Sequence, residues 1–284
     1  MSKIGIVIVN YNDYKKTREF VLSIKKFRLL NEIVIVDSNS TDSSYENLKH
    51  MEKGNITVLQ ADKNKGYSYG NNVGIKYLKD KVDYIIISNP DVSITENVIR
   101  KLKNDLDNDS DISMIAPVIK QGKELIRGWR LPKVIDEIKL NLSSFFKLFN
   151  DKLKYDDKRY NSDLTRVDVL YGCFFMIRND VLNLVGNLDD SVFLYYEENI
   201  LATKLKNINR KSYIDNTVTI EHNGSATVDK IYNQIDKYKL LKESQKYFVK
   251  YYLHANIFEI ILLRFIYRIK LIGACIAKIF KKKK

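Results

Sequence analysis

Short apolar runs alternate with stretches of helical periodicity along the first part of the chain, up to residue 118. Each apolar run predicts a buried strand, and each periodic stretch predicts a helix. The predicted strands cover residues 4–9, 32–36, 56–60, 84–87 and 112–118, and the predicted helices cover residues 15–27, 69–79 and 95–107. Strands that alternate with helices imply right-handed crossovers, and therefore a mainly parallel sheet in an α/β fold of the nucleotide-binding type.

The pattern changes after Pro117, where a long insertion covers residues 122–161. An insertion of this length predicts a lid, a binding loop or an interaction surface. It contains the single tryptophan, Trp129, next to Arg130, and an apolar patch formed by Leu142, Phe145, Phe146, Leu148 and Phe149. Beyond it, residues 167–177 predict a strand with Gly172 at its centre, residues 181–185 and 197–207 predict helices, and residues 211–215 and 218–221 predict two closing strands.

Polar residues follow three of the predicted strands at the point where each strand ends. Asn10-Tyr11-Asn12 follows the first strand, Asp37 follows the second, and Asp91 follows the fourth, behind Asn89-Pro90. Because a parallel sheet brings such loops together at one edge, Asp37 could accept a hydrogen bond from a nucleobase or ribose, and Asp91 could hold a hard divalent cation. Asp and Asn also favour turns for local reasons, so a turn is the alternative at each position taken alone.

The formal net charge of +13 is concentrated at the C-terminus. Residues 230–284 contain 14 Lys or Arg against 3 Asp or Glu, a net charge of +11, which leaves +2 for residues 1–229. Basic residues in a tail with long apolar stretches favour an anionic membrane surface over nucleic acid, whose binders carry basic residues on the folded module. The isolated cysteines, Cys173 and Cys275, and an N-terminal apolar run too short for a signal peptide predict a cytoplasmic location.

Residues 257–280 are rich in Ile, Leu and Phe, but charged residues interrupt them before a membrane-spanning length is reached. At about 100° per residue, Lys250, Arg264, Arg268 and Lys278 lie on one stripe. This pattern predicts a helix that lies in the membrane interface, at the inner face of the cell membrane, with the lysines at 281–284 adding electrostatic attraction. A helical hairpin packed on the domain, with a solvated lysine end, is the alternative.

Nine short motifs follow one another along the chain. In order they are residues 6–12 (IVIVNYN), 35–42 (IVDSNSTD), 64–66 (NKG), 70–74 (GNNVG), 89–91 (NPD), 172–178 (GCFFMIR), 186–189 (GNLD), 193–198 (FLYYEE) and 222–225 (HNGS). Together they resemble the family 2 glycosyltransferases, and most closely their bacterial rhamnosyltransferase-like members. Ordered agreement over residues 4–226 is more specific than any single motif. The same region lacks the GxGxxG order of a dinucleotide site and the Lys-Ser/Thr of a P-loop.

The resemblance implies a GT-A fold, with a nucleotide-sugar-binding half at residues 1–118, an acceptor-binding and catalytic half at 119–226, and a helical extension at 227–284. It implies a divalent cation, Mg²⁺ or Mn²⁺, at Asp91 and His222, which would neutralise the charge that develops on a diphosphate leaving group. The expected nucleotide-sugar contacts are Asn10, Tyr11, Asp37, Gly66, Asn72, Asn89 and Asp91. The expected acceptor contacts are Trp129, Arg130, Gly172 and Glu197, although Trp129 and Arg130 could equally anchor the insertion by packing.

The resemblance places the catalytic base at Glu198. Inverting sugar transfer needs a carboxylate that removes the acceptor proton as that oxygen attacks the anomeric carbon opposite the leaving diphosphate. This chain has Glu197-Glu198 where the family usually has Glu-Asp, and Ile200 where many members have a further Asp. In the alternative interpretation, the two acids complement the dipole of the helix that they begin, and His222 is a structural histidine.

These features predict an inverting, metal-dependent glycosyltransferase that moves rhamnose or another hexose to a lipid-linked saccharide in the synthesis of a cell-surface polysaccharide, such as a capsule or cell-wall polymer. A homo-oligomer is compatible with the sequence. The replacements at Glu198 and Ile200 leave open a non-catalytic, membrane-associated subunit that binds carbohydrate or nucleotide-sugar. A nucleotidyltransferase would need a basic Gly-rich signature near the N-terminus, which the chain lacks. Nucleic-acid binding is the least favoured alternative, because the basic residues lie in the tail.

Overall fold

A computed structural model of the chain describes residues 2–143, 153–224 and 232–281. Within these ranges the chain is organised around one mixed β-sheet. Its strands are β1 (Ile4–Asn10), β2 (Leu30–Asp37), β3 (Ile56–Gln60), β4 (Tyr84–Ser88), β5 (Val92–Ser93), β6 (Ile112–Gln121), β7 (Glu124–Ile126), β8 (Leu164–Val167), β9 (Phe174–Arg178) and β10 (Lys211–His222). Most of the predicted apolar patch (Phe145, Phe146, Leu148 and Phe149) lies outside the described residues, as do Ser225 and the side chains from residue 274 onward.

The strand order is β3-β2-β1-β4-β9-β6-β10-β5, with β7 paired to β6 and β8 paired to β10. The four strands of the N-terminal half pair in parallel, as do β6 and β10, whereas β9 runs antiparallel between β4 and β6. The parallel arrangement of β1 to β4 places their carboxyl ends at one edge of the sheet. The predicted α/β architecture of this half is therefore confirmed, with boundaries shifted by one to three residues.

Helices cover both faces of this sheet because neighbouring residues of its strands point to opposite sides. Ile6 packs in one core with α1 (Tyr14–Ile24), α2 (Ser44–Lys49) and α4 (Glu96–Asn108). Val7 packs in the other core with α3 (Tyr67–Leu78), α6 (Asn179–Leu184) and α7 (Glu197–Asn207). A continuous apolar run, rather than an alternating one, is what a strand buried on both faces requires.

Two predictions for the second half of the chain are wrong. Residues 167–177 do not form one strand: β8 ends at Val167, β9 begins at Phe174, and Gly172 lies in the loop between them. Val169 and Leu170 in this loop are also buried, and for this reason the loop has the apolar residues that are typical of a strand. The two closing strands predicted at 211–215 and 218–221 are one strand, β10, whose pairing with β6 shifts register between Asp215 and Thr219.

Three further helices pack together, namely α5 (Val134–Ser143) of the insertion, α8 (Gln234–Tyr251) and α9 (Ile257–Lys281). The packed side of α9 buries Ile266 and Lys270. Its outward side exposes Ile257, Phe258, Ile261, Leu262, Phe265, Ile269 and Ile272. In the described part of the chain, no helix combines the length and apolar character needed to cross a membrane.

Candidate active site

Asp91 and His222 form a buried pair at the carboxyl edge of the sheet, which we call the Asp91 pair. Strand β4 ends at Ser88, and the turn through Pro90 carries Asp91 into β5. Strand β5 pairs antiparallel with the end of β10, where His222 lies opposite Val92. The backbone N–H of Asn223 donates to the carbonyl oxygen of Asp91 at 2.9 Å. These contacts bring Asp91 Oδ1 within 3.3 Å of His222 Nε2.

The free atoms of the Asp91 pair suit a divalent cation. Asp91 Oδ1 and His222 Nε2 are both buried, and neither takes part in a hydrogen bond of acceptable geometry with the residues that the structure describes. His222 Nδ1 lies 3.4 Å from Gln121 Oε1, a contact that favours a proton on Nδ1 and leaves the lone pair on Nε2 for a ligand. No group of three potential protein ligands occurs among residues 2–143, 153–224 and 232–281. A cation here would need further oxygen ligands, such as those of a diphosphate.

Glu197 and Glu198 begin helix α7 after an unusual turn. Tyr195 and Tyr196 both have φ of 72°, in the left-handed region, which is strained for residues with a Cβ. Glu198 Oε1 accepts a hydrogen bond from the backbone N–H of Gly172 at 3.2 Å. A Cβ at position 172 would lie 2.6 Å from that oxygen, so only glycine allows this approach. The loop at Gly172, which was predicted to be part of a strand, therefore packs against the side chain of Glu198.

The two glutamates differ in their protonation. Burial raises the pKa of Glu198 above its ordinary value, and the backbone N–H groups of Glu198 and Gly172 oppose that rise by stabilising the carboxylate. Burial, followed by the negative charge of Glu198, raises the pKa of Glu197 to about 8. The Glu198 carboxylate accepts a hydrogen bond from the Gly172 N–H, whereas Glu197 Oε1 has no hydrogen-bond partner among the described residues, so the first negative charge of the pair is better stabilised on Glu198. An ionised Glu198 beside a neutral Glu197 is the state that a general base at position 198 requires.

Tyr171 and Cys173 lie between the Asp91 pair and Glu198. The ring of Tyr171 packs edge to face on His222, with centroids 5.8 Å apart. Burial is the main cause of the raised pKa of Tyr171 and of Cys173, and the charges of both Glu198 and Asp91 add to it in each case. Residues 171–173 therefore contact both His222, through the Tyr171 ring, and Glu198, through the Gly172 N–H. Sequence reasoning missed Tyr171, although it directly precedes the GCFFMIR motif, and nothing in the sequence distinguishes Gln121.

Asp37 is the centre of a second, closed set of hydrogen bonds, which we call the Asp37 cluster. Its carboxylate is fully buried and accepts from Asn10 Nδ2 at 2.8 Å, from the backbone N–H of Ser40 at 2.8 Å and from Ser40 Oγ at 2.6 Å. Thr17 Oγ1 donates to Asn10 Oδ1 at 2.8 Å. The cluster joins the loops after β1 and β2. Asn10 and Asp37 thus have structural partners here, and their contact with a nucleotide stays a prediction.

Four further residues were predicted to contact the nucleotide-sugar, and the structure gives them different surroundings. The side-chain amide of Asn72 donates to the carbonyl of Leu188 at 2.8 Å and accepts from its N–H at 3.1 Å, so Leu188 engages both its polar atoms. Gly66 has φ of 100°, and a Cβ there would lie 1.9 Å from the carbonyl oxygen of Phe193. The backbone N–H of Asn89 donates to the Cys173 carbonyl at 2.8 Å. Tyr11 is half-buried.

Trp129 and Arg130 make the packing contacts that were the alternative to acceptor binding. Trp129 is buried, and its Nε1 donates to Asn199 Oδ1 at 3.0 Å, next to Glu198 on helix α7. The guanidinium of Arg130 binds both carboxylate oxygens of Asp136, at 2.9 and 3.0 Å. Trp129 thus attaches the insertion to helix α7, whereas the Arg130–Asp136 ion pair lies within the insertion. Acceptor binding by either side chain stays a prediction.

The sequence of the chain is similar to that of known transferases. The profile of the family described as glycosyl transferase family 2 matches residues 5–186. The low-salt glycan biosynthesis hexosyltransferase Agl10 of Haloferax volcanii is 27% identical over 200 residues, which cover 70% of this chain and 60% of that protein. A dolichol-phosphate mannosyltransferase of Pyrococcus furiosus is 29% identical over 166 residues, 51% of this chain and 46% of that protein. The chain therefore spans roughly half to three fifths of these relatives, and neither is named as a rhamnosyltransferase.

The fold is also similar to that of a solved transferase. The mannosyltransferase PcManGT from Pyrobaculum calidifontis, in complex with GDP-Man and Mn²⁺, superposes with a TM-score of 0.61 at 13% identity, over 97% of this chain and 74% of that one. Similarity at this level of identity shows the fold alone. It confirms the α/β architecture of the GT-A type.

Proposed function

Because the chain belongs to glycosyl transferase family 2, we propose that it transfers a hexose from a nucleotide-diphosphate sugar to an acceptor hydroxyl, with inversion at the anomeric carbon. The observation that carries this proposal is that residues 171–173 contact both His222, through the ring of Tyr171, and Glu198, through the N–H of Gly172. A site of this kind needs one group that binds a diphosphate and another that removes a proton. The structure supports the proposal by supplying both kinds of group at the edge of the sheet where α/β folds bind ligands.

Each group has a distinct task in this reaction. Glu198, ionised and supported by the Gly172 N–H, removes the proton of the acceptor hydroxyl as that oxygen attacks the anomeric carbon. Asp91 and His222 would hold a divalent cation, which, when bound, neutralises charge on the leaving diphosphate. Protonated Glu197 adds no second negative charge beside the base. Tyr171 packs its ring against His222 and so supports the imidazole.

We propose a hexose as the transferred sugar, on the basis of the relatives. The Haloferax volcanii relative is named as a hexosyltransferase and the Pyrococcus furiosus relative as a mannosyltransferase. The rhamnosyl donor suggested by the motifs has no such support. Hexoses and 6-deoxyhexoses differ by one hydroxyl, and a site built to bind that hydroxyl rejects the analogue strongly.

A panel of donors tests the function directly. Purified protein is mixed with UDP- and GDP-hexoses and with a nucleotide-rhamnose, each with Mn²⁺, and both the melting temperature and the slow release of free nucleotide are measured. A donor that binds the folded state raises the melting temperature with its concentration. We expect one hexose donor to stabilise the wild-type protein and to be hydrolysed. Stabilisation without hydrolysis or transfer would instead favour the non-catalytic binding subunit.

We further propose that helix α9 attaches the enzyme to an anionic membrane and that the acceptor is lipid-linked. The outward face of α9 carries a continuous apolar row that includes Phe258 and Phe265, exposed by 80% and 60%. The exposed cations Arg264 and Arg268 border this row on the helical projection. An apolar face flanked by basic residues is typical of helices that lie in the membrane interface, where each cation adds about 1 kcal/mol of attraction.

Cosedimentation with vesicles tests the attachment. The double variant Phe258→Glu, Phe265→Glu should lose binding to vesicles that contain phosphatidylserine. Leu184→Glu is the matched control, because Leu184 is 65% exposed on helix α6, away from α9. Vesicles of phosphatidylcholine alone separate the apolar contribution from the electrostatic one. Unchanged binding of the double variant, or equal loss in the Leu184→Glu control, would contradict the proposed surface.

A further inference from the structure

The left-handed turn before helix α7 must be held by contacts outside that helix. Two consecutive tyrosines with φ of 72° are strained, and such strain persists only where the surroundings enforce it. The turn carries the catalytic helix: the N–H of Ile200 donates to the carbonyl of Tyr196 at 2.9 Å. Any change in the turn would therefore move Glu197 and Glu198. The residues that fix it bear directly on the proposed reaction.

The side chain of Tyr196 is fixed by a buried polar group on another helix. Its ring packs against Phe248 of helix α8, with centroids 5.4 Å apart. Its hydroxyl donates to Glu137 Oε2 of helix α5 at 2.6 Å. Glu137 is almost completely buried, so this charge-assisted bond forms away from competing water. Tyr196 is thereby held at both its ring and its hydroxyl.

Glu137 is in turn held by helix α8. Gln245 Nε2 donates to the same oxygen, Glu137 Oε2. Gln245 Oε1 accepts from Lys242 Nζ at 3.0 Å and from Asn141 Nδ2 at 2.9 Å. We call these residues, Glu137, Asn141, Tyr196, Lys242 and Gln245, the α5–α8 cluster. A network in which the members fix one another's orientation behaves as a unit.

Helix α8 also holds the loop that leads into the turn. Ser244 Oγ donates to the carbonyl of Leu194 at 2.7 Å. Tyr247 and Tyr252 both donate to Asp189 Oδ2. In the same loop, the carbonyl of Phe193 accepts a hydrogen bond from the N–H of Tyr67 at 3.0 Å. Tyr67 belongs to the half of the chain that is expected to bind the nucleotide-sugar. Helix α8 therefore contacts the segment 189–196 at several points before the catalytic helix begins.

We propose that Glu137 and Gln245 are positioning residues for the Glu197-Glu198 pair, acting through Tyr196. The effect of these residues on catalysis rests on the proposed function, whereas their effect on the turn at Tyr196 does not. Neither residue touches the Asp91 pair or Gly172. Helix α8, which follows the segment matched by the family profile, is on this account part of the catalytic machinery rather than an appendage.

Tyr196→Phe is the sharpest variant, because it keeps the buried ring and removes one hydroxyl. Tyr84→Phe is its matched control: Tyr84 is also buried and its hydroxyl also donates to a carboxylate, Asp107 Oδ1 at 2.7 Å, at the opposite end of the sheet. Hydrogen exchange of the amides at 195–201 is measured in the full chain. We expect about 10-fold or more faster exchange there in Tyr196→Phe but not in Tyr84→Phe. Equal exchange in both variants would overturn the proposal.

Kinetics provide the second arm of the test. In Tyr196→Phe and Glu137→Leu we expect kcat to fall on the order of 10- to 100-fold with the KM for the donor little changed, since the base is misplaced while the donor contacts remain. Glu137→Gln keeps an oxygen that accepts from Tyr196 and should restore most of kcat. An unchanged kcat, or a fall in Glu137→Gln as large as in Glu137→Leu, would overturn the proposal. If the wild type transfers no sugar, the proposed function fails, and hydrogen exchange still decides whether the cluster holds the turn.

Discussion

Two groups of polar residues at the same edge of the sheet have opposite hydrogen-bonding states. In the Asp37 cluster, a fully buried carboxylate accepts three intramolecular hydrogen bonds. In the Asp91 pair, a carboxylate oxygen and an imidazole nitrogen are buried 3.3 Å apart without a hydrogen-bond partner. Burying a polar atom without a partner costs free energy, so the satisfied cluster stabilises the fold and the unsatisfied pair does not.

The difference separates residues that build the edge from residues that serve a ligand. The Asp37 cluster fixes the loops after β1 and β2, and so shapes the space that a nucleotide would enter. The Asp91 pair and the Glu197-Glu198 pair contain buried polar atoms without hydrogen-bond partners among the described residues, and a bound ligand would supply such partners. Buried polar atoms without hydrogen-bond partners concentrate at functional sites. The same residue types at the same edge therefore predict opposite responses to mutation.

The largest expected effect belongs to Glu198. Replacement Glu198→Gln removes the proton acceptor while its amide oxygen can still accept from Gly172 N–H. We expect transfer to fall by roughly 10²- to 10⁴-fold, with donor binding and the melting temperature nearly unchanged. Steady-state kinetics and a thermal-shift assay on one protein sample measure both. Transfer within a few-fold of the wild type would remove Glu198 from the role of base.

A matched pair of Asp→Asn variants tests the difference between the Asp37 cluster and the Asp91 pair. Asp37→Asn places an amide NH₂ against hydrogen-bond donors and should lower the free energy of unfolding by roughly 2–3 kcal/mol. Asp91→Asn should leave the free energy of unfolding within about 1 kcal/mol of the wild type, because the oxygen it alters has no donor to lose. Denaturant titration at pH 7 measures both values. Equal destabilisation of the two variants would contradict the assignment of Asp91 to a ligand rather than to the fold.

The raised pKa of Glu197 predicts a pH-dependent stability. With a pKa of about 8 in the folded state and an ordinary value near 4.5 in the unfolded chain, the folded protein binds more protons between these limits. The free energy of unfolding of the wild type should therefore decrease as the pH rises from about 5 to 8. Glu197→Gln should lose this part of the slope and be more stable than the wild type at pH 8 by on the order of 4 kcal/mol. Parallel pH profiles of the two proteins would contradict the prediction.

Asp105 offers a smaller effect away from the site. It lies on α4 and is buried, and burial, followed by the neighbouring carboxyl group of Asp215 on β10, raises its pKa to about 6. Its ionisation is thus unfavourable above that pH. Asp105→Asn should stabilise the fold by about 1 kcal/mol at pH 7.5 and should give no gain below pH 4, without changing transfer. Denaturant titration at the two pH values checks this, and a gain at pH 4 would show that charge is not the cause.

Part of this arrangement is readable in the sequence. Strands β1 to β4 are continuous apolar runs because both faces of the sheet are covered, and their carboxyl ends follow from the parallel topology. Asp91, Glu198 and His222 are recognisable because each lies in a motif at the end or start of such an element. The closing strands show where pattern alone fails, since a register shift inside β10 resembles a break in the apolar run.

The sequence could not separate satisfied from unsatisfied polar residues. Asn72 was predicted to contact the nucleotide-sugar. Its side-chain amide instead forms two hydrogen bonds with the backbone of Leu188, 116 residues away. The loop at Gly172 looks like a strand because its apolar residues are buried, and only the approach of Glu198 reveals why glycine is needed. The α5–α8 cluster depends on contacts between Glu137 and residues 59 and 108 positions away. Contacts over such separations leave no local pattern.

The central claim is that the Asp91 pair holds a cation together with a nucleotide diphosphate, and a titration of Mn²⁺ monitored by electron paramagnetic resonance tests it most directly. The wild type and Asp91→Asn are titrated with and without UDP or GDP. In the wild type we expect one of these nucleotides to tighten Mn²⁺ binding by at least about 10-fold, beyond the affinity of the free nucleotide for Mn²⁺. The Asp91→Asn variant should show no such gain. Tight Mn²⁺ binding without nucleotide, or an undiminished gain in Asp91→Asn, would contradict the account.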